Sequence, residues 1–219
     1  MKIATVLFLT FVTFSGFGNS QSIKIGTLTW TAKNLDVTTF RNGDPIPQAK
    51  SDAEWVAAGE NYQPVWCYYD NDPKNGTKYG KLYNWFAVND ARGLAPSGWH
   101  IPTDEEWTKM TVYLGSQLQF GDYRDQSKPL FSGKNMKSKK GWSQRGNGTN
   151  KSGFSGLPGG ARDRDGSFLL IGYSGVWWTA SESENTNPWF YYLVSTDDYI
   201  VNFNGAEKGK GFSVRCVKD

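Results

Sequence analysis

His100, the only histidine in the chain, is followed closely by Asp104-Glu105-Glu106, and a histidine beside three acids could bind a metal or relay a proton. The local pattern gives the acids another task. Pro102 drives Ile101 into extended geometry, Thr103 falls at an N-cap and Glu106 at N3, so the two spell a capping box. The acids then complement the helix dipole, and His100, flanked by Trp99 and Ile101, is expected to be a satisfied core histidine. Asp70-Asn71-Asp72-Pro73-Lys74-Asn75-Gly76 has the polarity of a calcium loop without its spacing. Counted from Asp70, the sixth position is Asn75 where the sharp turn needs Gly, and the twelfth is Lys81 rather than Glu. A polar turn is expected there, and no metal or cofactor is assigned, a structural calcium alone being left open. Asp163 with Asp165, or Asp197 with Asp198, supply the paired carboxylates of glycoside hydrolysis, yet adjacent acids at turns are ordinarily solvated. Cys67 and Cys216 are the only cysteines, and no local pairing with His100 suggests a catalytic thiol.

The elements that must position these residues follow from the rest of the chain. Lys2, the apolar run Ile3–Phe14 and small residues at Gly16, Gly18 and Ser20 read as a secretory signal peptide over residues 1–20. No Cys stands there to accept a lipid, and no later stretch reaches the length of a spanning helix. The mature chain, residues 21–219, is therefore expected to be one secreted domain, extracellular or at the outer cell surface, with no transmembrane anchor. In that oxidising setting Cys67 and Cys216 are expected to form a disulfide; the alternative is two buried free thiols packed as small hydrophobes. A net charge of +3 gives no basic excess for a phosphate backbone, which argues against nucleic acid. Ten Trp, 11 Tyr and 13 Phe are enough to build a core, and 25 Gly disfavour an all-helical bundle.

A capping box at Ser51/Glu54 predicts a short helix ending at Gly59, Pro64–Tyr69 reads as a strand, and Tyr79–Asn89 shows a helical face. The helix after Thr103 carries Trp107, Met110, Thr111 and Leu114 on one stripe. Residues 116–152 lose all periodicity and read as a long surface excursion in which Lys128, Lys134, Lys137, Lys139 and Lys140 are scattered among Phe120, Tyr123, Phe131 and Trp142. Strand grammar returns at Phe168–Ile171, Gly175–Thr179, Trp189–Val194, Tyr199–Phe203 and Phe212–Val217. The fold class is α+β, helices early and a meander late.

Several ordered motifs are shared with a known family: Cys67-Tyr68-Tyr69-Asp70-Asn71-Asp72, Tyr79-Gly80-Lys81-Leu82-Tyr83-Asn84-Trp85, Gly98-Trp99-His100-Ile101-Pro102-Thr103, Gly153–Gly160, Trp177-Trp178 and Ser213-Val214-Arg215-Cys216-Val217. On these the chain resembles a Fibrobacter succinogenes major paralogous domain from about Trp30 to its end. Gly98–Trp107 and Gly211–Cys216 are also similar to the formylglycine-generating sulfatase-modifying family, which implies a C-type-lectin-like fold: a twisted antiparallel β core, two or three short helices and long loops. That family's copper chemistry needs a closely spaced cysteine pair near the C-terminus. Here only Cys216 lies there, so the chemistry does not carry over.

Such a scaffold implies a non-catalytic ligand-binding or adhesion module, for a polysaccharide or glycan. Its expected contacts are Trp142 in the long loop, Arg162 and Asp163 in a turn, and Asn187 beside Trp189. Rings would stack on a sugar's apolar face while the polar groups bind its hydroxyls. The alternatives are a polysaccharide-acting enzyme and a structural surface protein whose partner is a cell-surface protein.

Overall fold

The computed structural model describes residues 22–115, 132–183 and 187–219. The predicted leader, and Lys128, Phe120, Tyr123 and Phe131 of the long excursion, lie outside them. Strands β1 (Ser22–Ile25) and β2 (Leu28–Thr31) form a tight hairpin that turns at Gly26, whose φ of +63° suits glycine. Helix α1 (Asp52–Glu60) is capped by Ser51, but Glu54 accepts from the Lys50 amide, so only half of the predicted box forms. Strand β3 (Trp66–Cys67) is all that remains of the longer predicted strand. The expected polar turn is a 3₁₀ turn at Tyr69–Asn71 followed by helix α2 (Pro73–Tyr79), with Asp72 as N-cap and Pro73 at the first helical position. Strand β4 (Leu82–Tyr83) and helix α3 (Trp85–Val88) replace the single helix expected there.

Strand β5 (Trp99–His100) leads into α4 (Asp104–Tyr113), where the Thr103–Glu106 capping box is complete. Trp107, Met110 and Thr111 form its buried stripe, as the spacing predicted. Helix α5 (Gly133–Met136), strands β6 (Ala161–Arg162) and β7 (Phe168–Leu169), then the long β8 (Ser174–Glu182), β9 (Pro188–Val194) and β10 (Ile200–Asn204) follow, and β11 (Val217–Lys218) closes the chain. Among the described residues no helix is long and apolar enough to cross a membrane.

The architecture is α+β, several small antiparallel sheets with few helices. β8, β9 and β10 form the predicted meander in the order β10-β9-β8. A second sheet runs β1-β2-β11-β5, so the last strand lies between the first hairpin and a strand from mid-chain. Strand alternation divides the core: Val176 and Trp178 of β8 face one cluster with Tyr83, Phe212 and Val214, while Trp177 faces another with Trp30, Trp107, Phe154 and Tyr191. A third cluster gathers Trp55, Val65 and Leu82 around Cys67.

The junction between the halves is a buried polar network. Asn34 Nδ2 donates to Tyr79 O (2.8 Å) and Ser213 Oγ (3.1 Å), while its Oδ1 accepts from Trp177 Nε1 (2.9 Å) and Arg215 Nε (2.7 Å). Every polar atom of the amide is thus satisfied, which is what makes such a network a specifying rather than a destabilising feature.

The expected disulfide does not form. Cys67 belongs to the third cluster and Cys216 to the first, and both are free and fully buried. Each thiol packs as a small hydrophobe in its own core, and burial pushes both upward, Cys67 to about 11 and Cys216 to about 12.

Candidate functional site

Two loops with no periodicity of their own converge into a polar cleft of about 590 Å³. One is the segment 143–147 that follows α5, and the other is the β9–β10 connection, residues 195–199. Their meeting is set by backbone geometry. Lys134 N donates to Asp198 O (3.0 Å), Ser143 N to Gly172 O (2.7 Å) and Ser195 N to Tyr173 O (2.8 Å). A Cβ on Gly146 would lie 2.2 Å from Ser195 O, and one on Gly133 2.4 Å from the Tyr199 carbonyl, so both positions require glycine.

Gln144, Arg145, Asn147, Asp197, Asp198 and Tyr199 line the cleft, with Lys134 at its side. Lys134 Nζ pairs with Asp198 Oδ2 at 3.0 Å. Beneath them the Lys137 side chain is almost wholly buried and donates to Asp197 O (2.6 Å) and Val194 O (3.2 Å), with Asp198 Oδ1 3.7 Å away. Burial draws the Lys137 ammonium below the usual lysine value, and Asp198 and Asp197 oppose that shift. Thr196 Oγ1 donates to Asp197 Oδ2 at 2.9 Å. One partly exposed ring, that of Tyr199, therefore stands among several hydrogen-bonding side chains and two carboxylates.

A second depression, about 520 Å³ between the β1–β2 turn and α4, is lined chiefly by apolar side chains such as Leu28, Met110 and Val112. It offers few of the polar handles that fix a hydrophilic ligand.

The contacts expected from the sequence are not gathered in one place. Trp142 is only 5% exposed, and its indole N–H donates to Ser138 Oγ and Gly156 O, both at 3.1 Å. It is core behind the cleft, not a platform in it, because the excursion folds back onto β8 and β9 through Met136 and Gly156. Arg162 is fully buried, held by Gly166 O (2.9 Å) and Asp52 Oδ1 (2.8 Å), with its guanidinium 4.5 Å from the Phe168 ring and 4.8 Å from that of Trp55. Asp163 pairs with Lys210 at 3.1 Å. Trp189 is buried in β9, whereas Asn187 beside it is exposed, its carbonyl accepting from Ser183 N. Trp142, Arg162 and Trp189 are thus buried, whereas Asp163 and Asn187 reach the surface.

His100 also departs from expectation. It is half-buried rather than core, with Nδ1 2.8 Å from Asp219 Oδ1 and Nε2 2.8 Å from Glu106 Oε1. Burial lowers its pKa, the hydrogen bonds to Asp219 and Glu106 raise it, and the net shift is upward. Asp104 accepts from Tyr191 Oη at 2.9 Å and is raised by burial. Among the described residues no three His, Cys, Asp or Glu side chains come together as a metal site.

Comparison with known proteins adds one assignment. The family model of the Fibrobacter succinogenes major domain matches residues 23–218. Neither the curated proteins nor the solved structures yield a match.

Proposed function

The chain belongs to the Fibrobacter succinogenes major domain family, and from that premise we propose that it is an exported, non-catalytic glycan-binding or adhesion module on a C-type-lectin-like scaffold. The observation that carries the reading is the cleft between residues 143–147 and 195–199. There a Tyr199 ring, an amide from Gln144, another from Asn147 and the carboxylates of Asp197 and Asp198 face one volume. An apolar face ringed by several fixed polar groups is what a sugar ring requires. Apart from Lys134 of α5, the cleft is lined by loop residues, while the paired sheets and tryptophan clusters make the core behind it.

A second reading, a cell-surface protein as partner, draws on one observation. Leu170 (59% exposed) and Tyr173 (44% exposed) stand in the loop that backs the cleft and form an apolar rim. Aromatic and aliphatic rims serve protein interfaces as readily as sugars.

The test is retention of the protein on a panel of immobilised polysaccharides, beside Tyr199→Ala. Retention on a glycan, lost in the variant without a fall in Tm, is the expected result. Retention that survives Tyr199→Ala moves the site elsewhere. No retention on any glycan overturns the glycan reading in favour of the protein partner.

A further inference from the structure

Resting on the glycan reading of the cleft, we infer that its ligand is an acidic sugar, a uronate, whose carboxylate is met by Arg145. Two independent observations carry this. The first is backbone conformation. Gln144 and Arg145 have φ values of +53° and +60°, and Gly146 N donates to Ser143 O at 2.9 Å. That is the arrangement of a type I′ turn, whose two central positions favour Asn and Gly because side-chain-bearing residues are strained there. The chain instead carries a long amide and a guanidinium at the strained positions. The turn is clamped from both sides, by the Ser143–Gly172 bond, by Gly146 against Ser195 and by Trp142 N donating to Asn147 Oδ1 at 3.0 Å. Strain held by surrounding structure at a cleft is a sign of a contact surface.

The second observation is the charge balance. Lys134 is engaged by Asp198, and Lys137 by two carbonyls with Asp198 close by. Asp197 accepts from Thr196. Arg145 is exposed and makes no ion pair among the described residues. Three cations and two carboxylates thus border the cleft: both lysines lie at Asp198, the Asp197 carboxylate is held by a hydroxyl, and Arg145 is the cation among the described residues there that no carboxylate of the protein engages. A guanidinium grips a carboxylate through two parallel N–H bonds, a geometry that neither lysine reproduces. Gln144 beside it can bind the adjoining hydroxyls, and Tyr199 offers the apolar face.

The experiment measures binding of the purified protein to polygalacturonate, to the same polymer after carboxyl reduction, and to a sulfated polysaccharide. Tighter binding of polygalacturonate than of its reduced form, by about tenfold or more, is expected. Arg145→Gln should bring the two to equality with Tm unchanged, and Arg145→Lys should recover only part of the difference. The double variant Gln144→Asn/Arg145→Gly, which gives the turn its favoured residues, should raise Tm while losing the preference. Equal binding of both polymers, a preference for the sulfated polymer, or a preference that survives Arg145→Gln overturns the inference but leaves a glycan module standing. Failure of every polymer to bind overturns the glycan reading itself, and this inference with it.

Discussion

His100 can hydrogen-bond Glu106 and Asp219 at the same time as a donor only when both ring nitrogens carry protons. Its pKa is raised in the folded protein, so this contribution is fully present below the ordinary histidine value of 6.5 and fades as pH rises through the folded value. Glu106 moves the other way. Burial raises its pKa, but the Thr103 amide and His100 outweigh it, so its contribution is fully present above its ordinary 4.5 and fades as pH falls through the lowered value. Both are complete between those two ordinary values, and melting curves at intervals of pH should show Tm falling on the alkaline side. His100→Gln should abolish that slope, at a cost under about 1 kcal/mol because the ring and Asp219 both reach solvent. Arg162 and Asp52 show the same logic with unequal burial. The guanidinium is enclosed by Trp55 and Phe168, whereas the carboxylate is 68% exposed. Arg162→Ala should cost about 2–4 kcal/mol in packing and unmade hydrogen bonds, and Asp52→Ala less than about 1 kcal/mol. Chemical denaturation of the two variants side by side checks the contrast.

The loops that make the cleft are interlocked elements, and their weakest tolerance is at Gly146. A methyl group there meets the Ser195 carbonyl, which is backbone and cannot swing away. Gly146→Ala should therefore destabilise the protein by about 1–3 kcal/mol and abolish glycan retention, read by Tm and by the same panel of polysaccharides. Elements with a local cause were legible from sequence: the Thr103 capping box, the stripe Trp107-Met110-Thr111, and the late meander whose alternation sends Trp177 and Trp178 to opposite cores. Helix α2 was not, because Lys74-Asn75-Gly76-Thr77 has no apolar stripe. It is fixed by Asp72 and Pro73 at its start and by the Tyr68 ring lying where a Gly76 side chain would be. The cleft was hidden for a similar reason. Backbone bonds between remote loops build it, and a signal such as Gln144-Arg145-Gly146-Asn147 reads only as another polar turn. Arg162 misled in the opposite sense, since a charged residue leading into a polar turn reads as surface until the aromatic lid of Trp55 and Phe168 is seen.

At the scale of the whole molecule, the early and late thirds of the chain are joined without a covalent link. Two thiols should be titratable per chain in denaturant and none in the native state, and a reducing agent should leave Tm unmoved; a disulfide would reverse both results. Beside the Asn34 network, what joins the thirds is β11, a strand of two residues placed between β2 and β5. This position governs the order of events as the polypeptide is made. The β1–β2 hairpin is made long before β11, yet the edge of β2 that β1 leaves open is paired with β11, through Val217 opposite Trp30. Until β11 is made Trp30 has only Ile23 of β1 beside it, and a hairpin alone in water is marginal. Completion of this sheet must therefore wait for β11, and closure over so long a separation is slow. The first sheet stays unfinished for as long as β11 is missing, and a chain cut short before Val217 would carry β2 with one edge unpaired.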